Sequence, residues 1–280
     1  MQTVAIAGTG LIGASFGLAL RKAGFHGAII GVSSERAIAD AVAVGAIDRG
    51  APLAEAAAQA DLIFLSQTIG RILDTLRHLD QFVKPGALVT DAGSTKCEIV
   101  DTAMQNISRC QFLGGHPMAG KEKRGAGAAS ADLFQGHTWI LTPVDAAELE
   151  TPAAMEFRDW LKRIGARAMA LDCDEHDRIV SLTSHLPQLA STALAATLAE
   201  RLKDGQASAA GSGLMDMTRL ALSSYDIWRD ILATNSEHIE RALARYIQEL
   251  EHIRENLRTR QLQEEFARGS GFAEGVRRRP

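Results

Sequence analysis

Val4-Ala5-Ile6-Ala7-Gly8-Thr9-Gly10-Leu11-Ile12-Gly13 joins a strand to a helix through three glycines and sets the architecture of the first half of the chain. Four apolar residues form a short strand, a glycine turn follows at once, and the turn opens directly into an apolar helical pattern. In such a G-x-G-x-x-G turn the glycines allow a tight reversal, admit a pyrophosphate and let helix and strand pack closely. The helix N-terminus then presents free N–H groups to the phosphates. Gly8, Gly10, Leu11, Ile12 and Gly13 are therefore candidate dinucleotide-binding residues.

Outward from this turn, short apolar runs alternate with helical patterns. Strands are predicted at 3–7, 28–32, 61–66, 87–91, 110–114, 138–142 and 166–170, with helices at about 11–24, 34–44, 70–80, 95–105 and 151–164. Repeated β-then-α with continuous apolar strands implies a parallel sheet covered on both faces, an α/β doubly wound architecture of the Rossmann type. After Leu171 the strand signals stop. Helices are predicted at 174–185, 187–203 and 213–222, and a long one from about 225 to 267, with Gly205 to Gly213 as a small-residue connector. The chain thus divides into 1–171, a dinucleotide-binding domain, and 172–280, an all-α domain. In the long helix Ile239, Leu243, Tyr246, Leu250, Ile253 and Leu257 step by 4, 3, 4, 3, 4. That heptad seam wants a helical partner and favours a homodimer through the C-terminal helices.

Composition narrows the class. With 46% hydrophobic and 23% charged residues the chain has a globular balance, and a net charge of −4 gives no reason to expect nucleic acid or an anionic membrane as partner. No apolar run approaches the roughly 20 residues of a membrane span. The start runs into Val4–Ala7 without a basic leader, and the three cysteines, Cys97, Cys110 and Cys173, are odd in number and scattered. Both features fit a reducing cytoplasm.

About 20 residues past the last glycine, an acidic side chain would grip a ribose 2′-hydroxyl. Here the corner reads Ser33-Ser34-Glu35-Arg36. Two hydroxyls and an arginine accept a 2′-phosphate, which a carboxylate repels. With Glu35 one helical step aside, the expected cofactor is NADP rather than NAD.

Three further stretches carry candidate chemistry. Gly114-Gly115-His116-Pro117-Met118-Ala119-Gly120 holds a histidine in a rigid turn where it can accept a proton near neutral pH, or simply cap the strand. Asp91-Ala92-Gly93-Ser94-Thr95-Lys96 ends a strand at the edge where doubly wound sheets bind ligands. There Ser94 can N-cap the next helix, touch a ligand or both, and Lys96 reads as a solvated first-turn residue. In the helical part, Ser184-His185-Leu186-Pro187-Gln188 sets a histidine before a helix-breaking proline, and Thr218-Arg219 precedes Trp228. Taken singly, His185 reads more readily as a structural polar residue, Arg219 as a salt-bridge partner and Trp228 as core.

Taken together, in this order and at these separations, the motifs resemble the prephenate/arogenate dehydrogenase family of tyrosine biosynthesis, from Val4 to about Ala267. The resemblance implies a Rossmann domain joined to a dimerising α-helical domain, with the active site between them. It implies oxidative decarboxylation: hydride leaves the hydroxyl-bearing ring carbon for the nicotinamide, the ring carboxylate departs as CO2, and the ring becomes aromatic. Prephenate then gives 4-hydroxyphenylpyruvate; arogenate, the alternative substrate, gives tyrosine. By resemblance His116 is the general base, Ser94 shares the substrate hydroxyl, Arg219 binds a carboxylate, His185 supports the substrate side chain, and Trp228 closes its own or the neighbouring subunit's site. The base must be unprotonated, so activity is expected to rise with pH near ~6.5.

Some positions depart from the family pattern. Ser66-Gln67-Thr68 stands where many relatives place a proline, so the nicotinamide-side loop, with Ser66 and Thr68 as cofactor candidates, is expected to differ. Met215 replaces a lysine found in some members. Glu122 matches an acidic residue that some relatives use near the substrate, within the charged run Lys121 to Arg124. A β-hydroxyacid or imine-reducing dehydrogenase would rely on a lysine in the helical domain, where Lys203 is the only one. A non-catalytic dinucleotide-binding redox sensor would need no assembled Ser94, His116 and Arg219.

Overall fold

In the computed structural model, residues 1–121, 123–203 and 205–278 are described. The first ten residues form β1 (Thr3–Ala7) and the glycine turn, and α1 (Leu11–Lys22) leaves with Gly10 at its N-cap. Gly8 adopts φ +94°, and a Cβ on Gly13 would stand 2.0 Å from the Gly8 carbonyl oxygen, so the turn closes only with glycine at both places. The chain continues through β2 (Ala28–Val32), α2 (Glu35–Ala43), β3 (Arg49–Gly50), α3 (Leu53–Gln59), β4 (Leu62–Leu65) and α4 (Ile69–Leu79). It then forms β5 (Leu88–Asp91), α5 (Cys97–Asn106), β6 (Gln111–Pro117), β7 (Thr138–Thr142), α6 (Pro152–Arg163) and β8 (Arg167–Ala170).

The sheet runs in the order β3-β2-β1-β4-β5-β6-β7-β8. The order reverses between β1 and β4, and the carboxyl ends of the strands there open onto the crevice where this architecture receives ligands. Both faces are covered. Val4 and Ile6 of β1 face α1 and α6, where Phe16, Phe157 and Leu161 are buried; Ala5 and Ala7 face α3, α4 and α5. In α4 the buried Ile69, Ile72, Leu73, Leu76 and Leu79 form one apolar stripe against that second face.

The predicted strands all form, within a residue or three at their ends. Two elements come in addition: the two-residue β3 and the alanine-rich α3, too short and too weakly patterned to stand out. The sheet is also mostly rather than wholly parallel. β6 and β7 pair antiparallel, with His116 opposite Ile140, because the described residues between them form no crossover α-helix but a loop that carries a 3-10 turn.

From Cys173 the described residues form helices and their connectors: α7 (Cys173–Val180), α8 (Leu186–Arg201), α9 (Ser212–Thr218), α10 (Tyr225–Thr234), α11 (Ser236–Asn256) and α12 (Gln263–Arg277). Pro187 does not break a helix: a π-helical turn, Ser181–His185, leads straight into α8, where Pro187 sits in the first turn and needs no N–H partner. The long helix expected over 225–267 is instead three. Asn235 leaves helical geometry at φ −134°, and Arg260, with φ +60°, reverses the chain so that α12 packs back on α11 through Arg268–Glu249 and His252–Glu265 pairs. Of the heptad seam, Ile239 is buried while Leu250 and Leu257 lie exposed. No described helix is long and apolar enough to cross a membrane.

Candidate active site

The site grows from the end of β5 and the middle of β6. The Asp91 carboxylate accepts N–H bonds from Gly93 at 2.7 Å and from Gly115 at 3.0 Å, and it takes the Lys96 ammonium. Lys96 also donates to the Gly115 carbonyl at 2.8 Å. Both charged side chains are fully buried. Lys96 is therefore a clamp beneath the histidine turn and not the solvated residue its sequence position indicates. Burial pushes its pKa down, while Asp91 opposes the shift. The paired glycines answer to close neighbours on two sides: a Cβ on Gly115 would lie 2.7 Å from the Asp91 backbone carbonyl oxygen, and one on Gly114 2.2 Å from the Thr142 hydroxyl.

His116 stands on this base. Its Nδ1 lies 2.8 Å from Nε2 of His176, whose Nδ1 lies 2.7 Å from the Asp177 carboxylate. The same carboxylate accepts the Lys96 N–H at 2.7 Å and the Cys97 N–H at 2.9 Å. It therefore caps α5 from the helical part, the role the sequence offered to Ser94. Ser94 is half-buried at the carboxyl edge of β5 and is not the N-cap, which is Lys96. His176 and Asp177 were unremarkable in the sequence, where an adjacent His-Asp pair at a helix start reads as capping and solvation. Asn235, at the break before α11, donates to the Asp177 carbonyl at 2.8 Å and lies 3.3 Å from Nδ1 of the buried His185. The His185 ring meets Trp228 edge-on, with centroids 5.8 Å apart.

Burial is the main influence on the histidines. It holds His116 well below the ordinary histidine value, with the neighbouring His176, Lys96 and His185 adding to the effect. His176 is lowered by burial against the pull of Asp177, and burial brings His185 to about 4. The expected activity rise near ~6.5 accordingly moves down the pH scale.

Beyond Trp228 opens a cavity of about 860 Å³ whose lining includes Lys121, Arg124, Gln188, Arg219, Ser223 and Trp228. Arg219 lies on a 3-10 turn after α9, which Gln188 secures by donating to the Leu220 carbonyl at 2.9 Å. Trp228 donates to the Ser223 hydroxyl at 2.9 Å. Met215, one turn before Arg219, is 69% exposed. The cations beside Arg219 thus come from the loop after the histidine turn and not from α9. Glu122, in that loop, lies outside the described residues.

At the other end, Gly8, Val32, Ser33, Ser34, Thr68 and Arg71 line a cavity of about 580 Å³. The Ser34 hydroxyl caps α2, accepting from Ala37 N at 3.4 Å, and Arg36 is exposed in the first turn. The cation lining this cavity is Arg71 of α4, which sequence distance from the second strand concealed. The Ser66 hydroxyl donates to the Gly8 carbonyl at 2.6 Å and so braces the glycine turn. A Cβ on Gly10 would meet nothing within 4 Å, leaving room above the N-terminus of α1.

Two family models match the chain: "Prephenate dehydrogenase, nucleotide-binding domain" over residues 16–170 and "Prephenate dehydrogenase, dimerization domain" over 172–270. A prephenate dehydrogenase of Lactococcus lactis is 35% identical over 242 residues, covering 85% of this chain and 66% of the relative, so the chain spans about two thirds of that protein. Among solved structures, prephenate dehydrogenase of Aquifex aeolicus in complex with hydroxyphenyl propionate and NAD+ superposes with a TM-score of 0.87 at 30% identity, over 99% of this chain and 97% of that one. Arogenate dehydrogenase of Synechocystis superposes with a TM-score of 0.79 at 31% identity, over 98% of each chain.

Proposed function

The chain belongs to the prephenate dehydrogenase family, and from that premise we propose that it oxidatively decarboxylates prephenate to 4-hydroxyphenylpyruvate. The observation that carries the reading is a buried histidine held neutral at the sheet edge, whose turn runs on into Gly120 and Lys121 in the lining of a cavity that Arg124 and Arg219 also line. Prephenate has two carboxylates for those cations and one ring hydroxyl for the base. Arginine meets a carboxylate with two parallel N–H bonds and fixes its direction as well as its charge.

A nicotinamide dinucleotide fits the Gly8–Gly13 turn and supplies the hydride acceptor when bound. The chain's own work is to bind, orient and deprotonate. His116 takes the hydroxyl proton, which raises electron density at the carbon that must release hydride. Ser94 shares the same hydroxyl, Arg219 anchors a carboxylate, His185 supports the side chain, and Trp228 closes the cavity. Glu122 is a further substrate-side candidate. Loss of the ring carboxylate as CO2 then leaves the aromatic ring.

NADP is the proposed cofactor: no carboxylate lines the cavity at Ser33, Ser34 and Thr68, and Arg71 does. NAD stands as the alternative. The division at residues 171 and 172 separates a dinucleotide-binding domain from a substrate and dimerisation domain. The exposed Leu222, Ile247, Leu250, Leu257, Phe266 and Phe272 of the helical part give a homodimer its apolar face. Three thiols outside any disulfide suit a cytoplasmic enzyme.

The test offers prephenate and arogenate separately, each with NADP+ and NAD+, and reads reduced nicotinamide. Prephenate with NADP+ should give the highest kcat/KM. A preference for arogenate would assign the second substrate, and an NAD preference above about tenfold would remove NADP.

A further inference from the structure

We propose that His176 and Asp177 are positioning residues that fix the tautomer and orientation of His116, so that a partner from the helical part sets the catalytic base. The inference rests on the reading of His116 as that base. It follows from counting donors and acceptors along a chain of three side chains.

An ionised carboxylate only accepts hydrogen bonds. Asp177 is nearly fully buried and accepts from His176 Nδ1 and from the Lys96 and Cys97 N–H groups. Burial alone would raise its pKa, but His176 and these two N–H groups bring it below the ordinary carboxylate value. The proton of His176 must therefore sit on Nδ1. A neutral His176, fully buried, then has only a lone pair at Nε2, and that atom faces His116 Nδ1 at 2.8 Å. For this contact to be a hydrogen bond, His116 must carry its proton on Nδ1. Its Nε2, which makes no hydrogen bond among the described residues, is left as the lone pair that accepts the substrate proton.

The anchoring is rigid at both ends. The Asp177 backbone carbonyl is held by Asn235, and Thr234 beside it bonds Thr95 at 2.7 Å, next to Lys96. A further tie, from Gly70 N to Asp230 at 3.0 Å, fixes α10 on the end of α4. The geometry of the base is thus set by the seat of the helical part on the sheet. A histidine free in water favours the other tautomer, with the proton on Nε2, which cannot act as a base there.

The test uses the full-length protein with ¹⁵N-labelled histidine, without substrate, and reads the His116 ring nitrogens by NMR. Its companion measurement is kcat and KM with prephenate. The wild type should show His116 protonated at Nδ1 only. In His176→Ala the Nε2-protonated form should appear, with kcat falling about 10- to 100-fold and KM within about twofold. In His176→Gln, whose amide oxygen reaches the place of Nε2, the Nδ1 tautomer and most of kcat should return. This variant also decides the matter if His176→Ala fails to fold. A His116 tautomer that stays on Nδ1 in His176→Ala, or on Nε2 in the wild type, would overturn the inference. A His116→Asn enzyme that keeps full turnover, while the tautomers follow the pattern above, would instead remove His116 as base.

Discussion

At the residue scale the histidine turn gains its meaning from what lies beneath it. His116→Asn removes the proton acceptor and should lower kcat by about 10²–10⁴-fold while dinucleotide still binds, a split that steady-state kinetics and a binding titration read separately. Because burial holds His116 well below the ordinary value, the base is already neutral at pH 7, and activity should fall only on acidification well below ~6.5. A half-point at or above 6.5 in the kcat/KM profile would contradict that placement. Lys96→Met leaves the Asp91 carboxylate buried without its cation, which costs about 3–5 kcal/mol in denaturant unfolding. Arg219→Ala should raise KM for prephenate about tenfold or more with little change in kcat, since a charged hydrogen bond contributes about 1.5–3 kcal/mol. Motifs single out His116, His185, Arg219 and Trp228 as candidates in the sequence. The sequence could not place Lys96, His176 or Asp177, because burial of an ordinary charged residue depends on what folds over it from about 80 residues away.

At the element scale the glycine turn and the strand ends were legible because their causes are local. A Gly8 with φ +94° and a Gly13 without room for a Cβ leave their mark at fixed spacing. Gly13→Ala should therefore push the turn apart, weakening dinucleotide binding and lowering stability by about 1–3 kcal/mol, read by a cofactor titration and by thermal unfolding. Elements decided by tertiary context were not legible. The antiparallel β6–β7 pair follows from a connection without a crossover helix, and the division of the C-terminal helix follows from Asn235 turning inward to hold Asp177 and His185. A short polar residue in a long helical pattern gives no sign of that from sequence alone. The π-turn at Ser181–His185 is equally hidden, and it delivers His185 to Trp228.

At the scale of the whole molecule, the sheet and the helical part meet through polar ties at His116–His176, Lys96–Asp177, Thr95–Thr234 and Gly70–Asp230, so the site and the docking of the two parts share one chemistry. Acid should loosen both. His116, His176 and His185 all have lowered values in the folded chain, so their contribution to stability is complete above ~6.5, where neither state binds the proton. It is lost as pH falls from there, and for His185 the loss is complete near about 4. Thermal midpoints across that window should fall more steeply in the wild type than in His185→Gln. Coupling between oxidation of a ring hydroxyl and loss of the ring carboxylate is read from the stoichiometry of one reaction: prephenate and NADP+ with purified protein, measuring CO2 and reduced nicotinamide together. One CO2 released for each NADPH formed, with 4-hydroxyphenylpyruvate as product, is the expected result; no reduction of either nicotinamide dinucleotide, or reduction without CO2, would contradict it.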